Sequence, residues 1–167
     1  MDAAAHYRHL AALGRDEFLA AAAPAALVRY RPADLTGGDS ADRTMSLHDE
    51  TLPMGGVVLA DLVDFDVYPM AKKPGASFPD RITIGRTSNN DIVVVDASIS
   101  RLHAYVRPQG ATWVVADGGS KNGSWLKGEP LEPRRERPLS SRTILRLGDV
   151  DMTFYLAADL FAVLGGM

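Results

Sequence analysis

Apolar and polar positions fall into three textures along this chain. Residues 6–23 set Leu10, Leu13, Phe18 and Leu19 among alanines, a spacing that fits one face of a helix in a segment whose alanines favour helix throughout. Pro24 ends that run. Residues 31–56 hold Pro32, Gly37, Gly38, Pro53, Gly55 and Gly56 with acidic residues and few large apolar ones. Such a composition fills no core and predicts a linker or loop. From residue 57 the period drops to two. Short runs at 57–59, 62–63, 65–70, 81–84, 92–95, 104–106, 112–115, 124–126, 143–147 and 152–156 alternate or cluster apolar residues. Gly-, Asn- and Pro-containing turns separate them at 72–75, 89–91, 108–110, 117–119, 127–128 and 148–149. Many short strands without helices between them predict an all-β, antiparallel sandwich. Residues 157–164 return to Ala and Leu and predict a short closing helix.

The resulting plan is an N-terminal helical extension over residues 1–30, an acidic Gly/Pro-containing linker over 31–56, a β-sandwich over 57–156, and a short C-terminal helix and tail over 157–167. The 167 residues suffice for one domain with a full core plus an appendage. Cysteine is absent, which excludes a disulfide framework, a thiolate zinc site and a cysteine nucleophile, and fits a reducing compartment. The apolar stretch 20–28 follows Arg15, Asp16 and Glu17, a lead-in unlike that of a secretory leader. No run approaches the length of a membrane span, so a cytoplasmic location is expected.

Charge sharpens the picture. Eighteen Lys/Arg against 21 Asp/Glu give a net charge of −3. The balance is uneven: 7 basic against 12 acidic residues in 1–80, and 11 against 9 in 81–167. Without a basic stripe, neither nucleic acid nor a membrane is an expected partner. The local positive charge in the second half instead reads as a small site for one phosphate.

Three short stretches supply the chemistry for such a site: Gly85-Arg86, Ser100-Arg101-Leu102-His103 and Ser120-Lys121-Asn122-Gly123. Each interrupts a strand pattern and mixes Gly, a hydroxyl or amide, and a cation. Loops of this kind offer fixed charge, hydroxyl donors and an amide fork to an anion. A Ser100–His103 nucleophile and base would also need an orienting acid and an oxyanion hole, and no nucleophile elbow is present. His6 and His9 sit three apart without a third ligand, so no metal or cofactor is expected. Trp113, Trp125, Phe154 and Tyr155 read as core or sheet-packing aromatics, and Arg134-Arg135-Glu136-Arg137 as a solvated loop between two prolines.

Taken in order, Gly85-Arg86, Asn90-Asp91-Ile92, Ser100 to His103, Trp113, Ser120 to Gly123, Gly128 and Gly148-Asp149 resemble the forkhead-associated (FHA) domain family across residues 63–156. The resemblance implies an FHA/SMAD-like sandwich of two sheets and about eleven short strands that reads phosphothreonine peptides with loops at one end. By that resemblance Arg86 and Ser100 bind the phosphate, Asn122 holds the peptide backbone, and Arg101 and Lys121 flank the phosphate. Gly85, His103 and Gly123 shape the loops. Two departures stand out: Lys121 occupies a position often held by Thr, and Lys127 one where Asn is common. Lys121 keeps the charge but loses a short directional hydroxyl.

The expected function is a non-enzymatic signalling adaptor downstream of a Ser/Thr kinase. Its expected partner is a phosphothreonine-containing protein, the kinase or its substrate. The alternative is a phosphate-independent scaffold that uses the sandwich faces or the N-terminal extension. Thr36, Thr44 and Thr51 are followed three residues later by Asp39, Leu47 and Met54. The resemblance implies that this third residue is the one selected, which makes the three threonines candidate regulatory phosphosites and the chain's own N-terminal segment a candidate partner.

Overall fold

In the computed structural model, which describes residues 3–32, 63–74 and 78–165, the alternating segments build two β-sheets packed face to face. The elements run α1 (Ala3–Ala12), α2 (Arg15–Ala21), β1 (Ala25–Pro32), β2 (Val63–Pro69), β3 (Ile82–Gly85), β4 (Ile92–Val93), β5 (Ala104–Gln109), β6 (Thr112–Asp117), β7 (Ser124–Leu126), β8 (Glu129–Pro130), β9 (Arg137–Leu139), β10 (Thr143–Leu147), β11 (Val150–Leu156) and α3 (Ala157–Val163). One sheet has the order β2-β1-β11-β10-β7-β8 and the other β4-β3-β5-β6-β9. These ladders are antiparallel except for the short β3–β4 pair. The eleven strands among the described residues make the all-β sandwich that the alternation predicts.

The inward residues form the main core. In β10, Thr143, Leu145 and Leu147 are buried while Ile144 and Arg146 face out, as a strand with one solvated face requires. Leu145 and Leu147 meet Leu27, Ile84, Val106, Val115, Met152 and Phe154 between the sheets, with Trp113 edge-on to Phe154 at 5.8 Å. Each such side chain contributes about 1.5–3 kcal/mol by leaving water.

A second core lies on the outer face of the six-stranded sheet. Tyr7 and Leu10 of α1, Phe18 of α2, and Leu160 and Phe161 of α3 cover Ala26, Val28, Phe65, Val67 and Tyr155. The helices therefore cap the β2-β1-β11 half of that face. Among the described residues no element covers the β10-β7 half.

Two features differ from the sequence reading. The helix predicted over residues 6–23 is two helices, parted at Gly14, whose φ of 109° is open to glycine and unfavourable to other residues. More consequentially, residues 25–32, assigned to the helical extension and the start of the linker, form strand β1. β1 pairs with both β11 and β2, so the sandwich begins at Ala25 and not at residue 57. Its physical reason is double burial: Ala25 and Leu27 point into the main core, Ala26 and Val28 into the helical one. A strand buried on both faces shows an unbroken apolar run, which periodicity cannot separate from helix.

β1 runs antiparallel to β11, with Ala25 opposite Leu156 and Val28 opposite Thr153, so Pro32 and its partner Val63 lie toward the Val150 end. Thr36, Thr44, Thr51, nearly all of the predicted linker, and the short strand at 57–59 fall outside the described residues.

Candidate functional site

The three motif stretches become loops at that same end of the sandwich. Gly85 closes β3, and the carbonyl of Arg101 crosses it so closely that a Cβ there would sit 2.0 Å from the oxygen. Only glycine admits this approach. The contact is pinned by Asn90, 2% exposed, whose Nδ2 donates to Arg101 O at 2.6 Å and to Thr87 O at 2.9 Å. Asp91 anchors the base of the turn by accepting from Lys72 Nζ (2.7 Å), Lys73 N (2.8 Å) and Thr83 N (2.9 Å).

Arg86 follows directly. Its backbone N–H donates to Ser100 O and its Nε to Ile99 O, each at 3.0 Å. The side chain is exposed, and its two terminal nitrogens have no hydrogen-bond partner among the described residues. The guanidinium is thus held at its root and open at its fork. Ser100 Oγ accepts the backbone N–H of Lys121 at 3.0 Å, which leaves its own proton free to donate. The Arg101 and Lys121 side chains are exposed beside it, with no ion-pair partner among the described residues. Asn122 Nδ2 donates to Ser98 O at 2.9 Å, an anchor that leaves its Oδ1 without a partner among the described residues.

His103 is fully buried and joins two of the loops. Its Nδ1 accepts the Ser100 N–H at 3.0 Å, so Nε2 carries the proton and donates to Gly123 O at 2.9 Å. Burial pushes the imidazole below its ordinary pKa, against the smaller pull of the Gly123 carbonyl and Asp117. Both ring nitrogens are engaged with backbone and neither meets Ser100 Oγ, so this histidine does not activate that serine as a base would. Gly123, at φ 88°, turns the chain so that its carbonyl reaches His103, and it accepts Gly148 N at 3.0 Å on the same oxygen.

Several supporting residues carry no signal of their own in the sequence. Asp117, 2% exposed, accepts Ser120 Oγ (2.5 Å) and Ser124 Oγ (2.6 Å) on one oxygen and Gly119 N and Ser120 N (2.9 Å each) on the other. Burial raises its pKa, but these hydrogen bonds outweigh it and hold the carboxyl below the usual range. Ser120 Oγ in turn accepts Gly123 N at 3.0 Å, so Ser120 belongs to the scaffold. Ser98 binds Asp96 Oδ1 (2.7 Å) and accepts Asp149 N (2.8 Å), tying the β10–β11 turn to the loop that carries Ser100. Sequence alone shows Asp117, Ser98 and Ser124 as ordinary polar residues, and only their burial separates them from solvated ones.

The structure thus brings together every residue predicted for the site that it describes. Arg86, Ser100, Arg101, Lys121 and Asn122 present open tips at the surface, while Gly85, His103 and Gly123 sit beneath them. Among the described residues no three His, Cys, Asp or Glu side chains gather as metal ligands, and no helix is long and apolar enough to cross a membrane.

The family model for the FHA domain matches residues 82–148. The oxoglutarate dehydrogenase inhibitor of Corynebacterium diphtheriae is 34% identical over 114 residues, 66% of this chain and 73% of that protein. An FHA domain-containing protein of Arabidopsis thaliana is 33% identical over 78 residues, 46% of this chain but only 19% of that longer protein. Among solved structures, the crystal structure of the MEK1 FHA domain has a TM-score of 0.49 at 18% identity, covering 80% of this chain and 90% of the other.

Proposed function

The chain belongs to the FHA domain family, and from that premise we propose that it is a non-enzymatic module that binds phosphothreonine peptides and acts as a signalling adaptor downstream of a Ser/Thr kinase. The observation that carries this reading is the continuous chain of hydrogen bonds from Arg86 to Ile99 and Ser100, and from Ser100 to Lys121. Its members are fixed at their backbones, yet the guanidinium fork, the Ser100 proton and the Lys121 ammonium are unpaired among the described residues. A tetrahedral dianion can accept from all three without disturbing the scaffold.

In this reading Arg86 and Ser100 take the phosphate oxygens, and Arg101 and Lys121 add charge around them. Asn122 offers its Oδ1 to a backbone N–H of the bound peptide. The partner is a phosphorylated protein, either the kinase or its substrate. A cysteine-free chain reading a kinase product fits a cytoplasmic location.

An oriented phosphothreonine-peptide library, read by fluorescence polarisation against the wild type and Arg86→Ala, tests the proposal. Submicromolar to micromolar binding that disappears on dephosphorylation, and in folded Arg86→Ala, is the expected result. Equal binding of phosphorylated and unphosphorylated libraries by the wild type would sink it.

A further inference from the structure

The open half of the six-stranded sheet holds a groove of about 690 Å³ that the phosphate loops do not account for. Its floor is Trp125 of β7 and Ile144 of β10, outward-facing residues on neighbouring strands. Ile144 is 55% exposed, a large aliphatic left in water where the helices bury its counterparts on β1, β2 and β11. Arg146 lies over the Trp125 ring at 5.7 Å and is held there by Gly148 O at 2.9 Å and Asp149 at 3.6 Å. Lys127 and Asp151 complete the rim, and neither has an ion-pair partner among the described residues. The lining is therefore an apolar strip between one free cation and one free carboxylate.

The groove opens at the phosphate site. Asn122, Gly148 and Asp149 form its upper lip. The same three are bound into the reading loops: Asn122 to Ser98 O, Asp149 N to Ser98 Oγ, and Gly148 N to Gly123 O. A polypeptide whose backbone is held by Asn122 is thus delivered to the mouth of the strip. From Gly148 to Ile144 the strip follows β10 for about 13 Å at ~3.3 Å per residue, room for about four residues of extended chain.

We propose that this groove is a second binding site for the same partner, resting on the phosphothreonine reading above. In it the partner's chain continues past the residues beside the phosphothreonine and lays an extended segment along β10. That segment places an aliphatic or aromatic side chain against Trp125 and Ile144 and an acidic side chain toward Lys127. The strip selects partners by sequence well beyond the phosphorylated residue, and the exposed Ile144 is what the partner covers.

The test uses the full chain and two degenerate phosphothreonine libraries, one with three residues on each side of the phosphothreonine and one with ten. The long library should bind roughly tenfold more tightly, the scale of burying one aliphatic side chain. It should enrich an apolar residue at one fixed distance outside the short window and shift the Trp125 indole N–H in NMR spectra. Ile144→Glu, at an exposed position, and Trp125→Ala should bring the long library down to the short one and leave the short one unchanged. Equal affinity of the two libraries without an indole shift overturns the groove, as does a long-library gain that survives Ile144→Glu. Loss of both libraries in Arg86→Ala keeps the phosphothreonine reading standing in either event, while retention of both in that variant strikes the underlying reading and not the groove.

Discussion

His103 gives the sharpest test of how the loops are held. In His103→Ala, the Ser100 N–H loses its partner inside the protein, the Gly123 carbonyl keeps only Gly148 N, and the imidazole leaves a void in a site with no exposure to water. The orphaned N–H costs about 1–3 kcal/mol, so with partial collapse of the void the substitution should cost about 2–4 kcal/mol of folding stability. It should also weaken phosphopeptide binding, because Ser100 and the Lys121–Gly123 turn lose their common brace. The wild type adds a pH signature. Burial puts the folded-state pKa below the ordinary 6.5, so the unfolded chain takes up the proton first as pH falls. Stability from this group is complete above about 6.5 and declines below it by about 1.4 kcal/mol per unit until the folded-state pKa is reached. Protonation would also point an Nδ1–H at the Ser100 N–H, donor against donor.

Urea denaturation of wild type and His103→Ala at pH 7.5, 6.5 and 5.5 measures both effects. The wild type's advantage over the variant should shrink between 6.5 and 5.5, by at most about 1 kcal/mol, a difference that cancels the other histidines, which the two proteins share. A constant gap across the three pH values would refute the neutral, Nε2-protonated histidine. Binding lost with no change in stability would move His103 from the scaffold to the ligand.

Further outcomes follow from the same geometry. Arg86→Ala should cost about 2–5 kcal/mol of phosphopeptide binding and Ser100→Ala about 1–3, by calorimetry, with melting temperatures little changed because both tips face solvent. Gly85→Ala drives a methyl into the Arg101 carbonyl and should cost about 2–4 kcal/mol of stability and abolish binding, seen as a lowered urea midpoint and a flat titration. Asp117→Ala strands four donors and should destabilise by about 3–5 kcal/mol. In the wild type the Asp117 contribution is present above about pH 3.9 and lost as pH falls through its lower folded-state value, which acid titration of the difference would show. Protein phosphorylated at Thr36, Thr44 or Thr51 should lose affinity for a separate phosphopeptide, since tethering supplies an effective concentration of about millimolar. Unchanged affinity in all three forms leaves that segment a spacer.

The motif residues were legible because each combines a turn signal with a charge or amide, and the strands between them alternate cleanly. Their scaffold was not. Asp117, Ser98 and Ser124 look in sequence like any polar residue at a turn or strand end, and what makes them structural is burial supplied by segments far along the chain. β1 was hidden for the opposite reason: its alanines and Val28 face two cores at once, so no polar face marks it as a strand. β9 escaped notice behind Arg137 and Pro138. It survives as an edge strand because Leu139 pairs with Trp113 while Pro138 needs no ladder partner on its open side.

The pairing of Ala25 with Leu156 also fixes when the protein can fold. β1 and β11 lie near opposite ends of the described chain, yet their contact walls both cores, so neither core is complete until β11 exists. Closing a loop of that length adds only about 0.6 kcal/mol for each doubling, but the closure must come before the contacts that reward it. A growing chain therefore reaches β11 with all five strands of one sheet already made and the six-stranded sheet unfinished. A product cut short before residue 150 leaves Leu27 and Val28 without the strand they pair with. The sandwich that holds the loops therefore closes only with β11, whose two neighbours, β1 and β10, are brought together by it and by no other strand.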